Sequence, residues 1–297
     1  PLGIPEIIRR QLMTTEKAHQ YNPSDLYEVR VHDEEYLNVG GVIRQVRIYQ
    51  PGGPGPFPML LSIHGGAWTD KDHTEYASTS RPLAATGLVV AAIGMRVGEG
   101  FPYPTQIQDI NYGVRWLKAH AGEFNGDPHT VGGIGYSSGG HTLPLAAMRI
   151  NDSRYTALPL GGSSPDDAKL AWMISCWPVI EPYLRYEIAR EKGNTALMEK
   201  HHMFFQGDEA MHESTPLNII ESGESLTLPP ALVLHGTADD VMPIEASERF
   251  VSAYNKVGGK AQLVPFQGKG HGWAREAGAE ADEFVKIATE FIAQQLG

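Results

Sequence analysis

The sequence predicts an α/β fold: a mostly parallel central sheet of about eight strands, helices on both faces and a small cap insertion. Three observations carry this. Short apolar, β-branched runs recur from residue 58 onward, amphipathic stretches separate them, and several of the runs end in glycines. Strand–helix alternation of this kind implies a parallel sheet covered by helices.

The elements follow in order. Residues 5–19 carry apolar positions at helical spacing and predict a short helix. Leu26–His32 and Val42–Tyr49 read as strands, the second as an edge hairpin strand closed by the Gly-Pro punctuation of 51–58. The runs PMLLSIHG, GLVVAAIGM, TVGGIGYS, LAWMISCWPVI, ALVLHG and AQLVPF are too short for buried helices and read as interior strands. Pro104–His120, Gly139–Ile150, Ile244–Val257 and Ala279–Leu296 read as amphipathic helices. Residues 181–223 break the rhythm. This polar, helical, aromatic-containing stretch sits between two core strands, so it is expected over the carboxyl edge of the sheet, where open α/β sheets bind ligands.

With 297 residues, 41% of them hydrophobic, the chain is expected to form one domain over 1–297 with the 181–223 stretch as a cap-like insertion. The formal net charge of −11 argues against nucleic acid and anionic membrane surfaces as partners. No apolar run reaches the ~18 residues a membrane span needs. The single cysteine, Cys176, excludes an internal disulfide and suits a cytoplasmic location, although a chain opening Pro1-Leu2-Gly3 is compatible with a removed leader. Oligomeric state, a homo-oligomer included, is left open.

Gly135-Tyr136-Ser137-Ser138-Gly139 matches G-x-S-x-G between a strand and a helix. A serine on such a turn adopts a strained backbone that pushes its hydroxyl out at the sheet edge, and the next amide points at the same spot. The competing reading is an ordinary glycine-rich loop. A dinucleotide loop fits poorly, because the glycines at 133, 135 and 139 miss the G-x-G-x-x-G spacing. His64-Gly65-Gly66-Ala67-Trp68 follows an earlier strand. Its glycines allow close backbone approach, so the amides of Gly66 and Ala67, with that of Ser138, are candidate oxyanion donors. His64 is expected to brace the loop. Trp68 is expected at a pocket wall, a buried core tryptophan being the alternative.

Asp239 and Asp240 both follow the strand ALVLHG, and either could orient an imidazole while the other caps or faces solvent. Of 12 histidines only His271 lies beyond them, in the loop Gly268-Lys269-Gly270-His271-Gly272-Trp273. Chain order Ser, acid, His then selects it as base. His201, His202, His212 and Asp208 do not have metal-ligand spacing, because adjacent residues do not share a helix face. Neither a metal nor another cofactor is expected.

The combination HGGAW, GYSSGGH, HGTADDVMP and GHGW resembles the esterase branch of the α/β-hydrolases, including the hormone-sensitive-lipase-like, feruloyl-esterase-like and kynurenine-formamidase-like enzymes. The likeness runs from about Pro58 to Gly297. It implies the α/β-hydrolase fold and a triad of Ser137, Asp239 and His271, the acid being assigned by its place four residues after His235 in H-G-x-x-D. Ala67 stands where lipase-like members have a third glycine, Ser138 where alanine is common, and Met242 where valine is usual. The expected function is a serine carboxylesterase acting through an acyl-enzyme on a small, apolar or aromatic ester. Trp68, Tyr136, Trp177, Phe204, Phe205 and Trp273 are the expected pocket residues. An amide, formamide or carbamate hydrolase with the same triad is the alternative, and a non-catalytic small-ligand binding protein is the rival from another class.

Overall fold

The computed structural model describes residues 21–162 and 164–297. The helix expected over 5–19 lies outside the described residues. The strands are β1 (Val29–Val39), β2 (Val42–Pro51), β3 (Phe57–Ile63), β4 (Val89–Ile93), β5 (Gly126–Tyr136), β6 (Met173–Cys176), β7 (Ala231–Gly236) and β8 (Ala261–Phe266). They form one eight-stranded sheet in the order β1-β2-β4-β3-β5-β6-β7-β8. β2 runs antiparallel to both β1 and β4, and every other pairing is parallel. The first strand lies further along the chain than the sequence pattern suggested. The acidic run Asp33-Glu34-Glu35 obscured it, yet these residues pair with Arg47, Val46 and Gln45 of β2.

The helices are α1 (Ala77–Ala85), α2 (Thr105–Ala119), α3 (Gly139–Met148), α4 (Pro182–Glu191), α5 (Thr195–Phe205), α6 (Asp208–Glu213), α7 (Pro216–Glu221), α8 (Ile244–Lys256) and α9 (Ala279–Leu296). α1 has no counterpart among the sequence expectations. It carries Pro82 and buries Thr79, Ser80, Leu83 and Ala84, so it lacks an apolar stripe of large residues.

Alternation along the strands divides the interior into two cores. Met59, Leu61 and Ile63 of β3 pack with Ile107, Ile110 and Val114 of α2 and with Leu143 of α3. Leu60 of the same strand faces the other way, into the core that holds Leu83 of α1 and Phe284, Phe291 and Ile292 of α9. Phe204, Phe205, Met211, Ile219 and Ile220, from α5 to α7, join the first core. Backbone contacts anchor that segment: Tyr103 N–H donates to the Phe204 carbonyl at 2.7 Å, and the His141 ring lies 2.8 Å from the Ser214 carbonyl. Because β3, β5, β7 and β8 run parallel, the loops that leave their carboxyl ends share one edge of the sheet.

Candidate active site

β5 ends at Tyr136 and α3 begins at Gly139, which leaves two residues to reverse the chain. Ser137 does so with φ of 53°, a left-handed conformation that costs a non-glycine residue on the order of 1–3 kcal/mol. Its amide donates to the Cys176 carbonyl at 2.9 Å, and its carbonyl accepts from Val179 at 3.1 Å, so neighbouring backbone holds the turn. The turn packs tightly against the loop after β3. A Cβ at Gly139 would stand 2.5 Å from the carbonyl oxygens of both Ile63 and His64, which explains the glycine.

The Ser137 Oγ lies 2.8 Å from His271 Nε2, and His271 Nδ1 lies 2.8 Å from Asp239 Oδ2. One tautomer satisfies both contacts: Nδ1–H donates to the carboxylate and Nε2 accepts from the hydroxyl. Asp239 is fixed from several sides. Its Oδ1 accepts from the amides of Val241 and Met242 at 2.9 and 3.0 Å, and its Oδ2 lies 3.3 Å from His235 Nε2. Burial alone would raise the Asp239 pKa. The hydrogen bonds from His235 and His271 overcome that effect and hold the carboxyl well below the usual range. Asp240 is largely exposed and approaches Lys192 at 3.8 Å. Ser137 is 8% exposed and the His271 side chain 20%, so the reacting atoms lie in a mostly closed site with the imidazole as its open side.

The loop after β3 is curled by consecutive left-handed residues: Gly66 at 110°, Ala67 at 52° and Trp68 at 64°. Gly66 has no substitute, since a Cβ there would stand 2.1 Å from the Asp70 carbonyl oxygen. Such a run turns successive N–H groups toward one concave side. Among the described residues, the amides of Gly66, Ala67 and Ser138 donate no backbone hydrogen bond. His64 is buried, with Nδ1 2.7 Å from the Gly65 carbonyl and Nε2 3.5 Å from the Met95 amide, so it braces the loop. The hydroxyl of Ser138 is engaged in the same way, accepting from the Trp68 amide at 3.3 Å.

The expected pocket aromatics are placed differently. Trp68, Tyr136, Trp177, Phe204 and Phe205 are at most 3% exposed and form core, not an open wall. Trp68 stacks on Phe204 at 5.6 Å, meets Phe205 edge-on at 4.7 Å and donates from Nε1 to His141 Nδ1 at 3.2 Å. Tyr136 stacks on Tyr76 at 3.8 Å and reaches the Thr79 hydroxyl at 3.0 Å. Trp177 packs 5.6 Å from Trp273, which is half-buried against Phe266. The physical reason is that large rings flanking the turn and the loop fill the space beneath them, which keeps both rigid. His201 bonds the Leu197 carbonyl at 2.8 Å, His202 lies 3.0 Å from the Tyr186 hydroxyl, and His212 packs on Tyr183. Sequence reasoning gave no role to two buried groups near the site. His235 had a signal, the H-G-x-x-D spacing itself. Arg185 had none, lying in the polar stretch 181–223.

The strand order and the serine, carboxylate and imidazole on the loops after β5, β7 and β8 define an α/β-hydrolase. The chain belongs to the BD-FAE family, whose model matches residues 46–254, more than half of its length. Among curated relatives, Esterase LipC of Mycobacterium tuberculosis is 29% identical over 80% of this chain and 59% of its own. The isoprenylcysteine alpha-carbonyl methylesterase ICME of Arabidopsis thaliana is 25% identical over 75% of this chain and 52% of its own. The chain thus spans little more than half the length of these relatives. Among solved structures, esterase 2 of Thermogutta terrifontis phosphoramylated by tabun matches with a TM-score of 0.71 at 25% identity, covering 89% of this chain and 94% of that one. A hyperthermophilic esterase from Pyrobaculum calidifontis matches with a TM-score of 0.73 at 19% identity, over 90% and 87% of the two chains, and speaks for the fold alone. Among the described residues, no helix is long and apolar enough to cross a membrane.

Proposed function

We propose that this chain is a serine carboxylesterase that cleaves small esters through an acyl-enzyme, with Ser137 as nucleophile, His271 as base and Asp239 as acid. One observation carries the reading: the unbroken chain of hydrogen bonds from the Ser137 hydroxyl through His271 to a carboxylate fixed by two backbone amides. The named esterases among its relatives support the ester as substrate. The expected preference for aromatic or apolar groups loses most of its support, because five of its six side chains are buried.

His271 Nε2 takes the proton of Ser137 as Oγ bonds to the carbonyl carbon. The carbonyl electron pair moves to oxygen, where the amides of Gly66, Ala67 and Ser138 stabilise it. The C–O bond to the alcohol then breaks, and His271 gives its proton to the leaving oxygen. Water attacks the acyl-enzyme, loses a proton to the same imidazole, and Ser137 leaves with that proton as the acid departs. Asp239 holds the tautomer and stabilises the imidazolium throughout. We take residues 181–223 as a cap-like insertion within a single domain. Its Phe204, Phe205 and Met211 share a core with β3 and β4, which supports that assignment.

The test is turnover of 4-nitrophenyl butanoate together with labelling by a fluorophosphonate, a probe suggested by the organophosphorus adduct of the Thermogutta esterase. Wild type should hydrolyse the ester and take the label, and Ser137→Ala should lose both, with kcat down by at least about 10⁴. Equal turnover by the two proteins overturns the reading. Faster cleavage of a matched aryl amide than of the aryl ester would favour an amidase over an esterase.

A further inference from the structure

Among the described residues, the fold satisfies the other buried arginines, Arg96 and Arg115, with partners of its own. Arg96 holds Asp109 at 2.6 Å, and Arg115 donates to Asn111 at 3.0 Å and to the Leu158 carbonyl at 2.7 Å. Arg185, on α4, is treated otherwise. It is 2% exposed, and its Nε is buried with no hydrogen-bond partner. Asp239, the carboxylate whose charge acts on it, is engaged by His271, and Glu181, one helical turn earlier, takes Arg249 at 2.6 Å. Among the described residues no carboxylate pairs with the Arg185 guanidinium. A buried cation left without an anion is costly, and folds avoid it unless something else completes the pair.

The position of Arg185 points to what completes it. Its guanidinium carbon stands 5.0 Å from the centre of the Trp68 ring, and Trp68 directly follows the amides of Gly66 and Ala67. Its charge also acts on Asp239, and the two imidazoles that feel it are those of His141 and His201, both buried. The guanidinium therefore packs on the loop after β3, close enough to the carboxylate that orients His271 for the two charges to interact. Burial lowers its pKa to about 9, the Asp239 charge opposing, so it remains a cation at neutral pH. A ring on one face leaves the N–H edge of a guanidinium free, and that edge matches a carboxylate in a two-bond fork.

We propose that Arg185 receives a carboxylate carried by the substrate, which makes monoesters that retain a free carboxylate the favoured class. This rests on the acyl-transfer reading above and specifies its substrate. The carboxylate belongs either to the acyl part, as in a half-ester of a dicarboxylic acid, or to the alcohol part, as in an ester of a hydroxy acid.

Two matched pairs distinguish these sources when kcat/KM is measured by titration of released acid. Monomethyl glutarate against methyl pentanoate places the charge on the acyl side. Butanoyloxyacetate against ethyl butanoate places it on the alcohol side. Wild type should favour the anionic member of one pair by about tenfold or more. That ratio should fall by about tenfold in Arg185→Gln and by less in Arg185→Lys, which keeps the charge but not the fork. Because each variant is read as a ratio, a uniform loss of activity does not mimic the result. If Arg185→Gln does not fold, the fall in Arg185→Lys decides. A wild-type ratio of one or below in both pairs overturns the proposal, as does a ratio that the folded variants leave unchanged. Absence of any turnover and of fluorophosphonate labelling would instead overturn the hydrolase reading, so the two failures are told apart.

Discussion

The backbone amide of Trp68 donates to the hydroxyl of Ser138 at 3.3 Å, which ties the loop after β3 to the turn after β5. The loop is held from its other side as well, by Gln106, whose side chain donates to the Trp68 carbonyl, and by the stack of Trp68 on Phe204. The positions of the Gly66 and Ala67 amides relative to Ser137 thus depend on side chains outside the reacting set. Ser138→Ala removes one neutral hydrogen bond of moderate length, worth about 0.5–1.5 kcal/mol. We expect kcat with 4-nitrophenyl butanoate to fall about threefold to tenfold with KM little changed. A loss beyond a hundredfold would show that the hydroxyl does more than tie the loop.

Asp239→Asn preserves shape but cannot accept from Nδ1–H through the amide nitrogen, so the imidazole loses its tautomer. The expected loss in kcat is about 10³–10⁴, smaller than for Ser137→Ala. The same substitution has a stability consequence with a definite sign. The Asp239 pKa is depressed in the folded chain, so its ionised form stabilises the fold above the unfolded value of about 3.9 and this contribution fades as pH falls through the folded value. Urea melts of the two proteins should therefore differ most at pH 6, and the gap should narrow steadily as pH falls below about 4. A gap that stays constant down to pH 2.5 would count against the charge as its source.

Gly66 combines a φ of 110° with the Asp70 carbonyl in the space a side chain would need. Gly66→Ala must displace backbone, since the obstructing atom is not a flexible side chain. The loop should open, and kcat should fall about 10²–10³, the loss expected when an oxyanion donor is misplaced. The far-UV circular dichroism spectrum should be kept, because this loop lies between β3 and α1 and contributes no strand or helix of its own. Unaltered kcat in a folded Gly66→Ala would mean that the amides of 66 and 67 do not serve the reaction.

The meeting of Ser137, Asp239 and His271 was legible because each lies in a short loop after an apolar strand, and parallel strands bring such loops to one edge. Asp239 could be separated from Asp240 only by resemblance, since nothing local distinguishes two adjacent aspartates after a strand. The structure supplies the local reason: Asp239 is in reach of the Val241 and Met242 amides, while Asp240 faces solvent. The fate of the aromatics was not legible. Whether Trp68 lines a pocket or fills a core depends on Phe204 and Phe205, more than a hundred residues away. Arg185 was hidden for a related reason, as an arginine in a polar helical stretch reads as solvated until tertiary packing removes the water. α1 escaped notice because its buried face is made of threonine, serine and alanine beside one leucine.

Burial keeps three histidines neutral in the folded chain. The pKa of His64 is lowered, that of His141 is lowered to about 3 and that of His201 to about 4, desolvation being the largest cause for each. In the unfolded chain each takes up a proton near pH 6.5. Between about pH 4 and 6.5 the unfolded state therefore binds more protons than the folded one, and stability must rise with pH across that window. The contribution is complete above pH 6.5 and declines on acidification, with a slope of up to about 1.4 kcal/mol per pH unit for each histidine. Urea midpoints should be lower at pH 5 than at pH 7.5. His141→Gln places an amide N–H where Nε2 donates to the Ser214 carbonyl but carries no group that titrates here. It should lower overall stability, because Trp68 Nε1 loses its acceptor, while making the pH slope shallower by about one histidine's share. A slope identical to wild type would remove His141 from the set, and midpoints independent of pH would refute the account for all three.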